Sequence, residues 1–200
     1  MGVTQGSVIG PLLFAVCCSP ITDVIAHHGY VQYHQYADDT QLHLAMRADN
    51  TPAGLSVLAE CTIEVRQWYL QNGLQLNVDN SEALIVGTAN HFHAAKSSVS
   101  SVSVAGVDLQ VAHDIKVLGV VLDRRLTFHK HVSAVARSCN YHAHTLRHIR
   151  HLLTTELAQT LACSLILSRI DYCNAMLHGA PSYSVKKLQR VPDMELGHIL

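Results

Sequence analysis

Residues 35–42 read QYADDTQL and set two carboxylates, Asp38 and Asp39, side by side between two apolar, strand-like runs. Adjacent carboxylates repel, and a tight hairpin turn is more easily built from Asn-Gly or from Gly followed by Asp. An isolated Asp-Asp pair usually reads as a solvated acidic turn, so its chemistry depends on context. Charge distribution supplies part of that context. Residues 1–114 hold three Lys/Arg against ten Asp/Glu, and residues 115–200 hold eleven against five, although the formal net charge is only −1. An acidic half joined to a basic half suggests a carboxylate-bearing site beside a polyanion-binding surface. Solvated faces that differ in charge are the plainer alternative.

Fifteen histidines are unusual in 200 residues. Three HxH pairs occur (His91/His93, His129/His131 and His142/His144), and His144, His148 and His151 recur at i, i+4 and i+7 on one helical face. Zinc could use such a face, but a structural zinc site usually takes four ligands with cysteines nearby. No such spacing is present, so a polar helix face is expected, and no zinc. The six cysteines form no CxxC and no regular framework, which reads as reduced thiols in an intracellular protein, nuclear or cytoplasmic. SVIGPLLFAVCCSPITDVIA imitates a signal anchor, but no basic residue precedes it, Pro11 and Pro20 interrupt it and Asp23 lies inside it. A buried helix is expected there, with no membrane contact.

The elements that must position these residues follow from periodicity. Ser7 is a candidate N-cap for the apolar helix, with Pro11 in its first turn and a break near Pro20. YVQYHQY and TQLHLAM alternate as two short strands, with Asp38 and Asp39 at their joining tip. Thr51 as N-cap and Pro52 as first helical residue open a helix with an apolar stripe of Leu55, Leu58, Ala59 and Ile63, and Gly73 closes it. LQLNV and EALIVGT read as strands around a turn at Asp79-Asn80-Ser81, and SVSVAG with VDLQVA as a hairpin turning at Gly106. KVLGVVLD, 116–123, reads as one buried strand interrupted by Gly119. From about residue 129 the period changes to 3.6, with helices expected near 130–151, 155–177 and 182–191, the second capped by Thr154 or Thr155. The expected class is α+β, an antiparallel sheet with helices over 1–127 followed by an all-helical region over 128–200.

Taken in order, these segments resemble the reverse transcriptase of non-LTR (LINE-type) retrotransposons, most closely the CR1/L2/Jockey-related groups. GVTQGSVIGPLLF is similar to palm motif B, YADD at 36–39 to motif C, WYLQNGLQLNVDNSEALIVG to motif D, and IKVLGVVLDRRLTFHKHV to the primer-grip region called motif E. SRIDYCNAMLHGAPSYSVKKLQRV is similar to the thumb end of the same proteins. YADD alone is a weak signal; the ordered set is a specific one. The resemblance implies a partial polymerase palm followed by a thumb, acting on an RNA template, a DNA primer and dNTPs, with Mg²⁺ or Mn²⁺ as cofactor.

By that resemblance Asp38 is the main motif C metal ligand, with Asp39 in support, since Mg²⁺ takes hard oxygen donors. Gln5, Gly6 and Tyr36 fall at positions lining the incoming nucleotide, although Thr4 stands where the family usually has proline. Gly119 matches the primer-grip step, where a missing side chain admits nucleic acid or another backbone; a simple bulge is the alternative. Arg124, Arg125, Lys130, Arg147, Arg150, Lys186 and Lys187 are candidate phosphate contacts. The resemblance starts at motif B, so the fingers and the motif A strand with its aspartate lie outside these 200 residues. The motif D lysine position holds Asn80. The chain alone is therefore expected not to polymerise. A non-catalytic nucleic-acid-binding module and an unselected retrotransposon remnant remain open as alternatives.

Overall fold

A computed structural model describes residues 6–88, 99–172 and 174–195, with side chains described through Arg190. Gln5, Cys173, the His91/His93 pair and most of the Ser- and Ala-rich loop fall outside these residues. The protein is a mixture of helices and small antiparallel sheets, and its chain contacts divide it into two compact units, 1–83 with 88–111 and 84–87 with 112–200.

In the first unit, α1 (Gly10–Cys18) and α2 (Ile21–Ala26) are separated at Pro20 as expected. Ser7 does not cap α1: its carbonyl accepts from Gly10 N at 3.2 Å, and the N-cap is Ile9, with no side-chain cap. Nor is α1 a buried helix. Only Cys18 is buried, while Leu12 and Val16 are 66% and 62% exposed, because an all-round apolar helix can press only one flank on its neighbours. Strands β1 (Val31–Tyr36) and β2 (Asp39–Leu44) pair antiparallel with Val31 opposite Leu44 and Tyr36 opposite Asp39. Helix α3 (Thr51–Gln71) starts one residue earlier than expected, with Asn50 as N-cap. Its C-terminus closes on Gly73 at φ 73°, where Leu74 N donates to Tyr69 O at 2.8 Å. The buried stripe is Cys61, Thr62, Val65 and Tyr69, rotated from the expected one, and Ile63 is exposed. Cys61, Val65 and Tyr69 join Cys18, Ile21, Ile25 and Val31 in one core.

The hairpin β3 (Ser101–Val104) and β4 (Val107–Gln110) turns at Ala105-Gly106, both at positive φ, the geometry of a I′ turn. Helix α3 holds that turn: Ala105 N donates to Thr62 Oγ1 at 2.9 Å, and Arg66 donates to the Ala105 carbonyl at 3.1 Å. The expected strands LQLNV and EALIVGT do not form. Val78–Asn80 is a short 3₁₀ turn, and Ala83 makes only an isolated bridge with Val111. Strand-like composition needs a partner strand, and among the described residues neither segment has one.

In the second unit KVLGVVLD is two strands, not one. β5 (Asp114–Val117) and β6 (Val120–Asp123) form a hairpin through Leu118 (φ 45°) and Gly119 (φ 84°). Gly119 is thus a turn residue rather than a bulge within a strand. Helix α4 (His129–Ile149) carries Val132, Ala136, Cys139, Ala143 and Leu146 at alternating spacings of four and three, and this stripe is the centre of the unit's core. α5 (Thr155–Ala162) is capped by Thr154, which accepts from Leu157 N at 3.3 Å, and runs through a π turn at Cys163–Leu167 into α6 (Ser168–Asp171). Helix α7 (Ser182–Glu195) closes the unit by burying Ser184 and Leu188. Among the described residues no helix is long and apolar enough to cross a membrane.

Candidate functional site

The β1–β2 alternation decides what the hairpin tip presents. Val31, Tyr33 and Gln35 face the core side together with their partners Leu44, Leu42 and Thr40. Gln32, His34 and Tyr36 share the opposite, exposed face with His43, Gln41 and Asp39. Tyr36 (62% exposed) and Asp39 are therefore cross-strand neighbours, and Asp38 sits in the two-residue turn beside them. The other turn residue, Ala37, lies at φ 53°, a left-handed conformation that glycine would adopt without strain. Both carboxylates are exposed, and neither has a hydrogen-bond or ionic partner among the described residues. The hairpin behind them is held by polar pins. Tyr33 and Thr22 share a hydrogen bond at 2.7 Å, and Thr40 Oγ1 meets Tyr69 Oη at 3.3 Å. Burial raises the Tyr69 pKa above its ordinary value, against the opposing effect of the Thr40 hydrogen bond, so the phenol stays protonated.

The arrangement offers several carboxylate oxygens on a supported tip, which is donor chemistry for a hard divalent cation. It offers them from two residues. Among the described residues no group of three or more His, Cys, Asp or Glu lies close enough to hold a metal ion. Of the residues expected to line a nucleotide, Gln5 lies outside the described set. Gly6 is at φ 89° in the turn before α1, with open space where a Cβ would stand.

The other candidates lie in the second unit. Gly119 is covered by Tyr172, whose Cε1 lies 3.5 Å from where a Cβ would be and whose hydroxyl donates to Leu118 O at 2.8 Å. Several candidate phosphate contacts have internal partners. Lys130 is ion-paired with Asp114, and Arg124 Nε donates to Ala112 O at 3.0 Å. Arg150 donates to Leu153 O and to Thr155 Oγ1, at 3.0 and 3.3 Å. Arg147 is half-buried on α4, whereas Arg125, Lys186 and Lys187 are exposed. Sequence reasoning missed Asp123. Its two carboxylate oxygens accept from Arg125 N, Thr127 N, Thr127 Oγ1 and Phe128 N at 2.9–3.1 Å, tying together the loop before α4. Burial pushes its pKa up, and these hydrogen bonds outweigh that push, leaving it below the ordinary value. An Asp four residues before a Thr was the available signal.

A family model described as reverse transcriptase (RNA-dependent DNA polymerase) matches residues 1–122. The probable RNA-directed DNA polymerase from transposon BS of Drosophila melanogaster is 29% identical over 166 residues, covering 80% of this chain and 17% of that protein. The RNA-directed DNA polymerase from mobile element jockey of the same species is 29% identical over 143 residues, 68% of this chain and 14% of its own length. A probable RNA-directed DNA polymerase from transposon X-element, also from that fly, is 29% identical over 136 residues, 67% and 14% respectively. The chain thus spans 14–17% of the length of these curated relatives. No solved structure matches it.

Proposed function

We propose that this chain, which belongs to the reverse transcriptase (RNA-dependent DNA polymerase) family, supplies the motif C hairpin and part of the nucleic-acid grip of a LINE-type RNA-directed DNA polymerase. The observation that carries this reading is the pair of exposed carboxylates Asp38 and Asp39, without partners among the described residues, on a hairpin pinned from behind by Tyr33 and Tyr69. The relatives from mobile elements support the retrotransposon origin. The first unit corresponds to palm and the helices of the second to thumb in this reading. Asp38 and Asp39 would hold Mg²⁺ or Mn²⁺, Tyr36 and Gly6 together with Gln5 would flank an incoming dNTP, and exposed cations of the second unit would contact RNA template and DNA primer. The metal, when bound, would activate the primer 3′-hydroxyl and offset charge on the triphosphate. The chain's own part is to fix the backbone of the tip, which would limit how far the carboxylates must move to meet the metal.

Two carboxylates make a weak site on their own, because affinity for hard cations rises with ligand charge and rigidity. We therefore assign the isolated chain no polymerase activity. A Mn²⁺ or Mg²⁺ titration followed by NMR at residues 36–40 should give binding on the order of millimolar or weaker. Adding primer–template and dNTP, whose phosphates bring further oxygen ligands, should tighten it. Tight binding by the chain alone would overturn the two-ligand account, and absence of any enhancement would remove the catalytic reading of the hairpin. Extension of a primed RNA template that disappears with Asp38→Ala would show that the chain carries a complete site. A non-catalytic nucleic-acid-binding module is the second reading, favoured by exposed Lys186 and Lys187 on an acid-free stretch of α7.

A further inference from the structure

Four exposed cations of the second unit, Arg137, Lys186, Lys187 and Arg190, lie on two neighbouring helices. His129 on α4 meets Tyr183 on α7, with ring centroids 6.0 Å apart, and Lys187 on α7 donates to Ser133 Oγ on α4 at 3.0 Å. Both contacts join residues separated by the same 54 positions, so the two helices run parallel in a fixed register. One more step of four residues sets Arg137 beside position 191, next to Arg190. Successive rungs are about 6 Å apart along the helices. On α7, Tyr183, Lys186, Lys187 and Arg190 fall at i, i+3, i+4 and i+7, one stripe, and all four are exposed; so are His129 and Arg137 on α4.

Charge sharpens the pattern. Helix α4 contains no Asp or Glu, and α7 has none before Asp193. Arg137, Lys186, Lys187 and Arg190 make no ion pair among the described residues, whereas Lys130 is ion-paired and Arg124 and Arg150 are hydrogen-bonded inside the unit. Four like charges held on one narrow strip repel each other, and a run of anions at similar spacing relieves that repulsion. The rings at the N-terminal end add a feature that phosphate contact does not need. Tyr183 is 53% exposed beside His129, and an aromatic face next to a basic track is the pattern that follows an unpaired strand.

We propose that the α4–α7 strip binds a single-stranded segment of nucleic acid, with Arg137, Lys186, Lys187 and Arg190 along its phosphates and the Tyr183–His129 pair stacking one unpaired base. This deepens the polymerase-family reading and rests on it, but it names a surface and a strand state that the reading does not require.

The test is fluorescence anisotropy of the full chain with a labelled oligo-dT, a primer–template duplex and anionic phosphatidylserine vesicles, across 50–200 mM salt. Four phosphate contacts give a log K against log salt slope of about −3 for single strands. Lys186→Ser, Lys187→Ser and Arg190→Ser combined should flatten that slope by about 2 and cut oligo-dT affinity at least tenfold. Tyr183→Leu should weaken oligo-dT about 5- to 100-fold with an unchanged slope and little effect on the duplex, and Tyr183→Phe should restore binding. Circular dichroism of each variant separates misfolding from lost contact. If the chain binds nucleic acid and the triple variant alters neither slope nor affinity, the strip is wrong and the family reading stands. If the wild-type chain binds no nucleic acid of any kind, the grip assigned under the family reading fails as well. Preferential capture of vesicles through the same residues would make the strip a membrane surface and overturn the proposal.

Discussion

Replacing Asp123 by alanine should unseat the start of α4 and destabilise the second unit by about 2–3 kcal/mol. The magnitude follows from what the carboxylate holds. It accepts four hydrogen bonds, three from backbone N–H groups of residues 125, 127 and 128. The N-cap of α4, Phe128, makes no side-chain cap bond and lies at φ 57°, and Leu126 lies at φ 51°, so two non-glycine residues are kept left-handed in this loop. Each such conformation costs on the order of 1 kcal/mol or more and persists only where surrounding contacts impose it. Hydrogen bonds to a charged group contribute about 1.5–3 kcal/mol each when water cannot replace them. Arg125 and Thr127 are open enough for water to replace theirs, while Phe128, 8% exposed, is not. The one poorly replaced charged bond, to Phe128 N, gives most of the stated range, and the three wetter ones add the remainder.

Asp123→Asn keeps the shape and one carbonyl acceptor, so about half the loss is expected. The pH dependence fixes the cause. The folded pKa of Asp123 is depressed, so its contribution is fully present above the unfolded value of about 3.9 and is lost as pH falls through the lower folded value. Urea unfolding followed by far-ultraviolet circular dichroism, which reads the helices, should show wild type and Asp123→Asn separated at pH 7 and converging toward pH 2. A gap under about 0.5 kcal/mol at pH 7, within the range of ordinary surface changes, would refute the hydrogen-bond argument. A gap that persists unchanged at pH 2 would refute its electrostatic part.

Ala37→Gly should stabilise the first unit by up to about 1 kcal/mol, since φ 53° suits glycine; urea unfolding read by Trp68 fluorescence checks it, and a loss of more than 1 kcal/mol would contradict the strain. Gly119→Ala has room against Tyr172 but not the backbone for φ 84°, so a loss of about 1–2 kcal/mol is expected whether or not nucleic acid is present. A variant of full stability and weakened nucleic-acid binding would give Gly119 a contact role instead. His131 is buried beside β6, its Nδ1 accepting from Val121 N at 3.4 Å, and burial lowers its pKa. The unfolded chain takes up that proton first, so stability should fall as pH drops through about 6.5. His131→Leu should flatten that part of the pH–stability profile, and an unchanged slope would assign it to other histidines.

Residues close together in the chain decided much of this protein from the sequence alone. The YVQYHQY and TQLHLAM alternation specified a hairpin with the aspartates at its tip, because a period of two needs no distant information. The 3.6 period specified α4, and Thr154 and Gly73 marked helix ends through contacts within a turn. The order of the motifs identified the family, which the match over 1–122 bears out. Tertiary structure decided the rest. LQLNV is strand-like in composition but found no partner among the described residues, while KVLGVVLD folded back on itself because Leu118-Gly119 could adopt two positive φ angles and Tyr172 could hold the turn. Nor could sequence tell which cations were already engaged: Lys130 and Lys187 look alike in the chain, yet one meets Asp114 and the other stands on an acid-free strip. Local spacing reaches only about four residues along a helix or two along a strand. Pairing, burial and charge compensation depend on groups dozens of residues away, and only the folded chain brings those together.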